Sequence, residues 1–176
     1  MANREALRDL QSRLASRLQA ARTAGVQASW LAVESAGAKY LFPLAQSGEI
    51  FPFVSSQPVP YTQAWFLGVA NLRGGLYGVV DLASFVGGHA PAIRSDATRA
   101  ESRLVALNAM LEVNCALLVD RLAGLRNLDA FSSSSEPPEG SPAYFGSGYT
   151  DVHGAYWQEV NLQALSQQPQ FLSISA

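Results

Sequence analysis

The feature that most limits the possible folds is a series of short apolar runs separated by glycine, proline and small polar residues. The clearest are SWLAVES (29–35), KYLFPLA (39–45), SRLVALN (102–108) and LEVNCALLVD (111–120). Runs of this length between turn residues are typical of strands. The chain holds about eight to ten of them, without the regular alternation of strand and helix that builds parallel sheets. This pattern predicts a mostly antiparallel β protein, built as small barrels or a sandwich.

The first residues have a helical pattern instead. Leucine or alanine recurs at three- and four-residue spacing between Asn3 and Ala24, which predicts one apolar face; its members are Leu7, Leu10, Leu14, Leu18 and Ala21. Five arginines against two acidic residues give this segment a charge of +3, so the chain's total of −2 leaves −5 elsewhere. We interpret the basic face as solvated, on a helix docked to the body. Contact with an anionic membrane or an acidic partner helix is the alternative.

Two of the runs, Leu67–Leu72 and Leu76–Val80, predict a β-hairpin joined through Arg73-Gly74-Gly75. Both glycines are expected in the turn, because tight hairpin turns need positive φ and glycine supplies it without steric cost. Asn71 and Arg73 are polar residues at the rim of this apolar unit. Polar residues on a loop held by strands often serve recognition. The plainer alternative is turn chemistry for the asparagine and a surface charge for the arginine.

Two stretches are predicted to be loops. Residues 87–100 (GGHAPAIRSDATRA) have the glycine, proline and small polar content of a loop. Phe131–Thr150 is rich in serine, proline and glycine and shows no periodicity, which is typical of a long functional or mobile loop. After it, His153–Val160 is predicted to be a strand, and Asn161 is predicted to cap a short helix over Leu162–Gln167.

Residues that could carry a chemistry are few. His89, His153 and the single cysteine, Cys115, include no pair at metal-ligand spacing, so no metal site is expected. Neither glycine pair leads into the lysine and hydroxyl residue of a phosphate loop, so no cofactor is expected there. The small net charge gives no general case for nucleic-acid or membrane binding. The charged start, MANREALRDL, lacks the apolar run of a signal peptide, which predicts a cytoplasmic protein.

One alternative of another class stays open. Asp151 and His153 lie close together in sequence, so a small-ligand-binding or hydrolytic β-barrel could use this pair. A turn residue followed by a histidine at a strand edge explains the same spacing without any catalysis.

The stretch GVANLRGGLYGVVDL (68–82) resembles the most diagnostic part of the CheW family, the adaptors that couple chemoreceptors to a histidine kinase. The shared features are Gly68-Val69, Asn71-Leu72-Arg73-Gly74 and Val79-Val80-Asp81-Leu82. The similarity extends from Ala28 to Gln168 and includes the later strands and the closing GAYWQEVNLQAL.

The resemblance implies a mostly β fold of two small, SH3-like, five-stranded β-barrels packed together. An N-terminal amphipathic helix (1–26) would precede this CheW-like domain (27–176), and a short helix would end it. The implied protein is a scaffold with no catalysis of its own, recruited to membrane-associated receptor arrays without inserting in the membrane. Its implied partners are the hairpin tip of a methyl-accepting chemoreceptor and the regulatory domain of a CheA-like kinase. With its extra N-terminal helix and its short length, the chain looks similar to the pilus-associated (PilI-type) adaptors of twitching motility.

The resemblance also implies site residues. Glu49, Asn71, Leu72 and Arg73 match the receptor-binding positions, and Glu49 could pair with Arg73 across the groove. The positions that match the kinase side are Ser47 and Gly68, with Leu44 on the same approach strand. This chain departs from the family pattern at Ser47, where an apolar residue is usual, and at Gly78, where proline is usual. The hairpin is therefore expected to be more flexible than in the family.

Overall fold

The fold is described from a computed structural model, which describes residue 9, residues 11–16 and residues 29–176. Residues 11–16 are helical (α1) and all six are exposed, with Leu14 at 53%. Arg13 pairs with Asp9 one turn earlier, at an N–O distance of 3.2 Å. The rest of the helix predicted over Asn3–Ala24 lies outside the described residues. The helix was predicted to dock on the body, but its residues 11–16 are exposed and do not show such docking.

Eleven strands form two sheets in the described part of the chain. The strands are β1 (Ser29–Ser35), β2 (Ala38–Pro43), β3 (Ser47–Pro52), β4 (Phe66–Leu72), β5 (Gly75–Asp81), β6 (Arg103–Leu107), β7 (Cys115–Val119), β8 (Arg121–Asn127), β9 (Phe131–Ser135), β10 (Phe145–Asp151) and β11 (Tyr156–Val160). One sheet has the order β8-β1-β2-β11-β10-β9 and the other β3-β6-β7-β5-β4. The predicted fold class is confirmed, with six strands in the first sheet in place of five.

Short helices follow or precede the strands. They are α2 (Leu82–Gly87), α3 (Asp96–Glu101), α4 (Leu162–Ser166) and α5 (Pro169–Leu172), with 3₁₀ turns at Leu44–Gln46, Ala109–Leu111 and Leu128–Ala130. The predicted cap at Asn161 is confirmed, because its side chain accepts the backbone N–H of Ala164 at 2.9 Å. Asp81 caps α2 in the same way through Ser84. Capping of this kind stabilises a helix by about 1 kcal/mol.

The two sheets repeat one arrangement, although the sequence shows no internal repeat. In the five-stranded sheet, the pairs β3·β6, β6·β7 and β5·β4 are antiparallel, and β7·β5 is parallel. In the other sheet, β8·β1, β1·β2 and β11·β10 are antiparallel, and β2·β11 is parallel. The β4–β5 turn and the β10–β11 turn therefore occupy equivalent positions in their sheets.

Each sheet is buried on both faces near its centre. Along β1, Leu31 and Val33 pack in a large cluster shared with the other sheet, whereas Trp30 and Ala32 pack in a small cluster of their own sheet. All five residues of β7 are buried, alternating between the shared cluster and the small cluster of the five-stranded sheet. Burial on both faces explains why these strands read as continuous apolar runs. It also raises the pKa of the Cys115 thiol to about 12, which makes the side chain an unreactive part of the core.

The predictions of loops over residues 87–100 and Phe131–Thr150 are partly wrong. Phe131–Ser135 forms β9, which pairs with β10 at the edge of the sheet, so only residues 136–144 connect two strands. The serines of β9 are exposed, and pairing with β10 rather than apolar patterning holds them in the strand. Residues 96–101 form α3, whose N-cap Ser95 accepts the backbone N–H of Thr98. This Ser95 cap was available as a sequence signal for the helix.

A nearly buried ion cluster joins the segment before α3 to both sheets. The Arg94 guanidinium donates to Asp81 at 2.6 Å and to Asp120 at 2.7 Å, and its side chain is 11% exposed. Asp120 also accepts the backbone N–H of Ala36 in the β1–β2 turn at 2.8 Å. Burial works against the charged guanidinium, but the hydrogen bonds to the two carboxylates outweigh it, so the pKa of Arg94 is raised. The cluster thus links β5, β7 and the β1–β2 turn.

Candidate protein-interaction site

The candidate site is built on the turn between β4 and β5. Because Leu72 pairs with Gly75, the turn consists of two residues, Arg73 and Gly74, with φ of +49° and +82°. Positive φ at both residues is typical of a type I′ turn. The expectation that Gly75 supplies positive φ is wrong, since Arg73 takes that conformation. The Asn71 side chain accepts the backbone N–H of Gly74 at 2.9 Å and so stabilises the turn.

The Arg73 side chain extends from this turn towards β3. Its guanidinium pairs with the Glu49 carboxylate, as the resemblance implied, and the guanidinium carbon lies 5.9 Å from the centroid of the Phe51 ring. The side chains are 76% and 44% exposed, so the pair contributes only about 0–1 kcal/mol to stability. The pair therefore orients the guanidinium at the surface more than it stabilises the fold.

The other predicted receptor-side residue is not at the surface. Leu72 is 4% exposed and packs in the small cluster of the five-stranded sheet, together with Phe51 and Val79. Its contacts are those of a core residue. Asn71, by contrast, is exposed beside Arg73.

The residues predicted to face the kinase have structural contacts. Ser47 is half-buried at the start of β3 and donates its hydroxyl to the Pro43 carbonyl at 3.1 Å. Gly68 is buried in β4, where the segment around Gln57 lies against the strand; Gln57 and Val69 exchange backbone hydrogen bonds of 2.7 and 2.9 Å. Leu44 is not on the same strand as Ser47: it lies in the 3₁₀ turn before β3 and lines a groove at the end of the other sheet.

Two residues near the β4–β5 turn were not predicted from the sequence. Phe51 lies two residues after Glu49 on β3, so the two-residue period of a strand could have placed its ring on the same face as the carboxylate. Leu76 pairs with Asn71 across the hairpin and is 63% exposed, which adds an apolar side chain beside the polar ones. Apolar residues in strands are usually buried, so nothing local in the sequence marks this exposure.

The structure explains why this chain can have glycine at position 78, where proline is usual in the family. The backbone N–H of Gly78 donates to the Asn114 carbonyl at 2.9 Å, a bond that proline has no N–H to make. A Cβ at this position would lie 2.9 Å from the edge of the Phe66 ring. This hydrogen bond fixes the glycine to a neighbouring segment, which argues against the extra flexibility expected for the hairpin.

The Asp151 and His153 pair does not have the geometry of a catalytic dyad. One oxygen of Asp151 accepts the backbone N–H groups of His153 and Ala155, at 2.8 and 2.9 Å, and the other accepts the Trp157 indole N–H at 3.0 Å. The indole hydrogen bond is the largest of the effects that hold the pKa of Asp151 below its usual value. These contacts give Asp151 a structural role, because its carboxylate stabilises the β10–β11 turn.

Among the residues that the structure describes, no group of three or more histidine, cysteine, aspartate or glutamate side chains is placed to hold a metal ion. None of the helices in residues 11–16 and 29–176 is both long and apolar enough to cross a membrane.

The sequence and the fold can be compared with those of known proteins. Residues 29–170 match the model of the CheW-like domain, and the chain belongs to this family, whose members are adaptors or scaffolds in chemotaxis-type signalling. Protein PilI of Pseudomonas aeruginosa is 28% identical over 170 residues, which cover 93% of this chain and 89% of that protein. The scaffolding protein TtCheW of Thermoanaerobacter tengcongensis has a similar fold, with a TM-score of 0.63, 18% identity, and 77% and 89% of the two chains covered.

Substitution of Gly68 by alanine is expected to lower the free energy of unfolding by about 2–4 kcal/mol, from overpacking and backbone strain. A Cβ here would lie 2.0 Å from the Gln57 carbonyl oxygen, and φ is +130°. Gly74→Ala is the matched control, because its φ is +82° but a Cβ would meet nothing within 4 Å. Urea unfolding should show a much smaller loss for the control. Equal losses would contradict a role for the contact with Gln57.

Proposed function

We propose that this chain is a non-catalytic adaptor that couples a methyl-accepting chemoreceptor to a CheA-like histidine kinase. The observation that carries the proposal is Arg73, a charged residue in a left-handed turn conformation that glycine adopts at lower cost. Such a conformation costs a side chain roughly 1–2 kcal/mol. Strain of this kind is a reason to look for a function of the side chain.

The receptor side of the proposed adaptor is the exposed end of the β4–β5 hairpin, where Arg73 pairs with Glu49 and Asn71 lies opposite Leu76. An arginine held by a carboxylate can still donate its remaining N–H groups to acidic or carbonyl groups of a helical hairpin tip. Leu76 adds exposed apolar surface next to these polar groups. Arginine flanked by apolar contacts is a common composition for the centre of a protein interface.

The kinase side is proposed on β3 and β4, where Ser47 and Gly68 match the family positions. Gly68 is buried, so it does not contact a partner directly. Its role in this proposal is to leave room for the segment around Gln57, which lies against β4. A partner on this side is expected to be the kinase's own CheW-like regulatory domain.

The output proposed for this adaptor is control of type IV pilus twitching motility. The support is the similarity to PilI over nearly the whole length of both chains. In this proposal the protein acts in the cytoplasm and is recruited to membrane-associated receptor arrays.

The proposed function predicts which proteins co-purify with the full chain. From a detergent-solubilised lysate of its own cells, the affinity-tagged protein is expected to retain both a histidine kinase and a methyl-accepting receptor, identified by mass spectrometry. The tag alone is the control. If the tagged protein is folded but retains neither partner above the control, the adaptor proposal is wrong; if it retains only one, the coupling role is wrong.

A further inference from the structure

The end of the five-stranded sheet that carries the β4–β5 turn also carries the loop between β6 and β7. β5 and β7 are parallel neighbours and β6 is antiparallel to β7, so both connections lie at this one end. The backbone N–H of Gly78 donates to the carbonyl of Asn114, the last residue before β7, at 2.9 Å. Because neighbouring strands are about 5 Å apart, a helix about 10 Å across that rests on the β4–β5 turn also reaches this loop.

Asn108 holds the β6–β7 loop (residues 108–114) in one shape. Its side chain accepts the backbone N–H of Met110 at 2.9 Å and donates to the Ala45 carbonyl at 3.2 Å. Its own backbone N–H donates to the Gln46 carbonyl at 2.9 Å. Met110 lies on the 3₁₀ turn of this loop and is 87% exposed. An apolar side chain held outward on a fixed loop offers contact area to a partner at a small cost in entropy.

Glu112, in the same loop, is a charged residue in a left-handed conformation, with φ of +57°. It ends the 3₁₀ turn, and its backbone N–H donates to the Ala109 carbonyl at 3.1 Å. Glycine or asparagine is usual at such a position, since other residues adopt positive φ only at a cost in stability. The cap needs the backbone alone and does not explain the glutamate side chain. That side chain is exposed and forms no ion pair with any residue that the structure describes.

Arg73 and Glu112 share this unusual backbone conformation. In the described part of the chain, four non-glycine residues have positive φ, and these two are the charged ones. They lie at the same end of the five-stranded sheet, with opposite charges. Leu76, which is 63% exposed, and Met110 add apolar surface there. This end of the sheet therefore presents a cation on one loop, an anion on the next and apolar side chains on both.

We propose that Glu112 and Met110 belong to the receptor face, an inference that rests on the proposed function. The partner that fits is a helical tip with a basic side chain for Glu112, an acidic or carbonyl group for Arg73 and an apolar residue for Met110. Opposite charges at two points fix the direction in which such a helix lies. Glu112 thus selects among receptors, because a tip with an acidic side chain at that point is repelled.

The test compares variants of the full chain by co-sedimentation with membranes that contain the methyl-accepting receptor found to co-purify. Glu112→Lys is expected to weaken binding at least about fivefold, because the basic group of the tip would meet a lysine. Glu112→Gly is expected to weaken binding about threefold and to raise the urea midpoint of unfolding, since glycine adopts this φ without strain. Met110→Ser is expected to weaken binding about threefold through lost apolar contact.

The matched control is Glu136→Lys, which makes the same change of charge at an exposed glutamate between β9 and β10 of the other sheet and should bind like the parent. Equal weakening in Glu112→Lys and Glu136→Lys would overturn the inference, because net charge and not position would be responsible. A Glu112→Gly variant that binds like the parent would show that the carboxylate is not a contact. The same result for Met110→Ser would remove Met110 from the face.

Two further outcomes separate this inference from the proposed function. If both Glu112 variants bind receptor like the parent while Arg73→Glu binds weakly, Glu112 has no part in the face and the proposed function stands. If Glu112→Lys retains less kinase but binds receptor like the parent, the β6–β7 loop belongs to the kinase side and the receptor assignment is wrong. If the parent itself does not sediment with the receptor, the proposed function fails and this inference fails with it.

Discussion

Replacing Arg94 with methionine is expected to lower the free energy of unfolding by about 3–5 kcal/mol, the usual effect of removing one partner from a buried ion pair. Methionine fills similar space, so the loss comes from the charges that remain. Asp81 is 1% exposed and would keep a carboxylate without its counter-ion, and Asp120 would lose its hydrogen bond of 2.7 Å. Urea unfolding followed by circular dichroism measures the change.

A matched control is available on the surface of the same protein. Arg121 pairs with Glu34, but its side chain is 53% exposed, so Arg121→Met is expected to cost less than about 1 kcal/mol. If the two variants lost similar stability, the ion cluster would be no more important than a surface pair. A further readout is local: backbone amides of residues 89–95 should exchange hydrogen faster in Arg94→Met, because the cluster holds this segment.

The strands of this fold were largely predictable because the physics that forms them is local in sequence. β1, β2 and β7 are buried on both faces, so their apolar runs stand out from the turns around them. β9 was not predictable in this way, since its serines are exposed and only pairing with β10 makes the segment a strand. The ion cluster joins Asp81, Arg94 and Asp120, and their separation in sequence gave no signal that they meet.

The candidate site was predicted in part, and mostly by resemblance. The match to family positions predicted that Glu49 and Arg73 pair, and the structure contains this ion pair. Their spacing in the sequence alone does not require it. The same matching also assigned Leu72 to the receptor side. Successive side chains of a strand point to opposite faces, and that of Leu72 points into the core. Gly68 and Gly78 depend on close backbone and ring neighbours, which only the folded chain reveals.

The proposed receptor face predicts that reversing the charge of Arg73 weakens receptor binding at least about tenfold, since an arginine at the centre of an interface commonly contributes 2 kcal/mol or more. Arg73→Glu keeps a non-glycine residue at φ +49°, so the backbone strain of the turn is unchanged. Because both side chains of the pair are exposed, the stability of the protein should change by less than about 1 kcal/mol. Co-sedimentation with receptor-containing membranes measures the binding. Arg99→Glu, on the exposed face of α3, is the matched control and should bind like the parent.

The double variant Glu49→Arg/Arg73→Glu separates the two roles of the pair. It restores an ion pair between β3 and the turn, so any loss of stability in Arg73→Glu should be recovered. Binding should stay weak, because the partner's acceptor groups would now meet a carboxylate at the tip of the hairpin. If the double variant bound receptor like the parent, the pair would serve only to brace the turn and the guanidinium would not be the contact. If Arg73→Glu alone bound like the parent while remaining folded, the receptor face would have to lie elsewhere on the molecule.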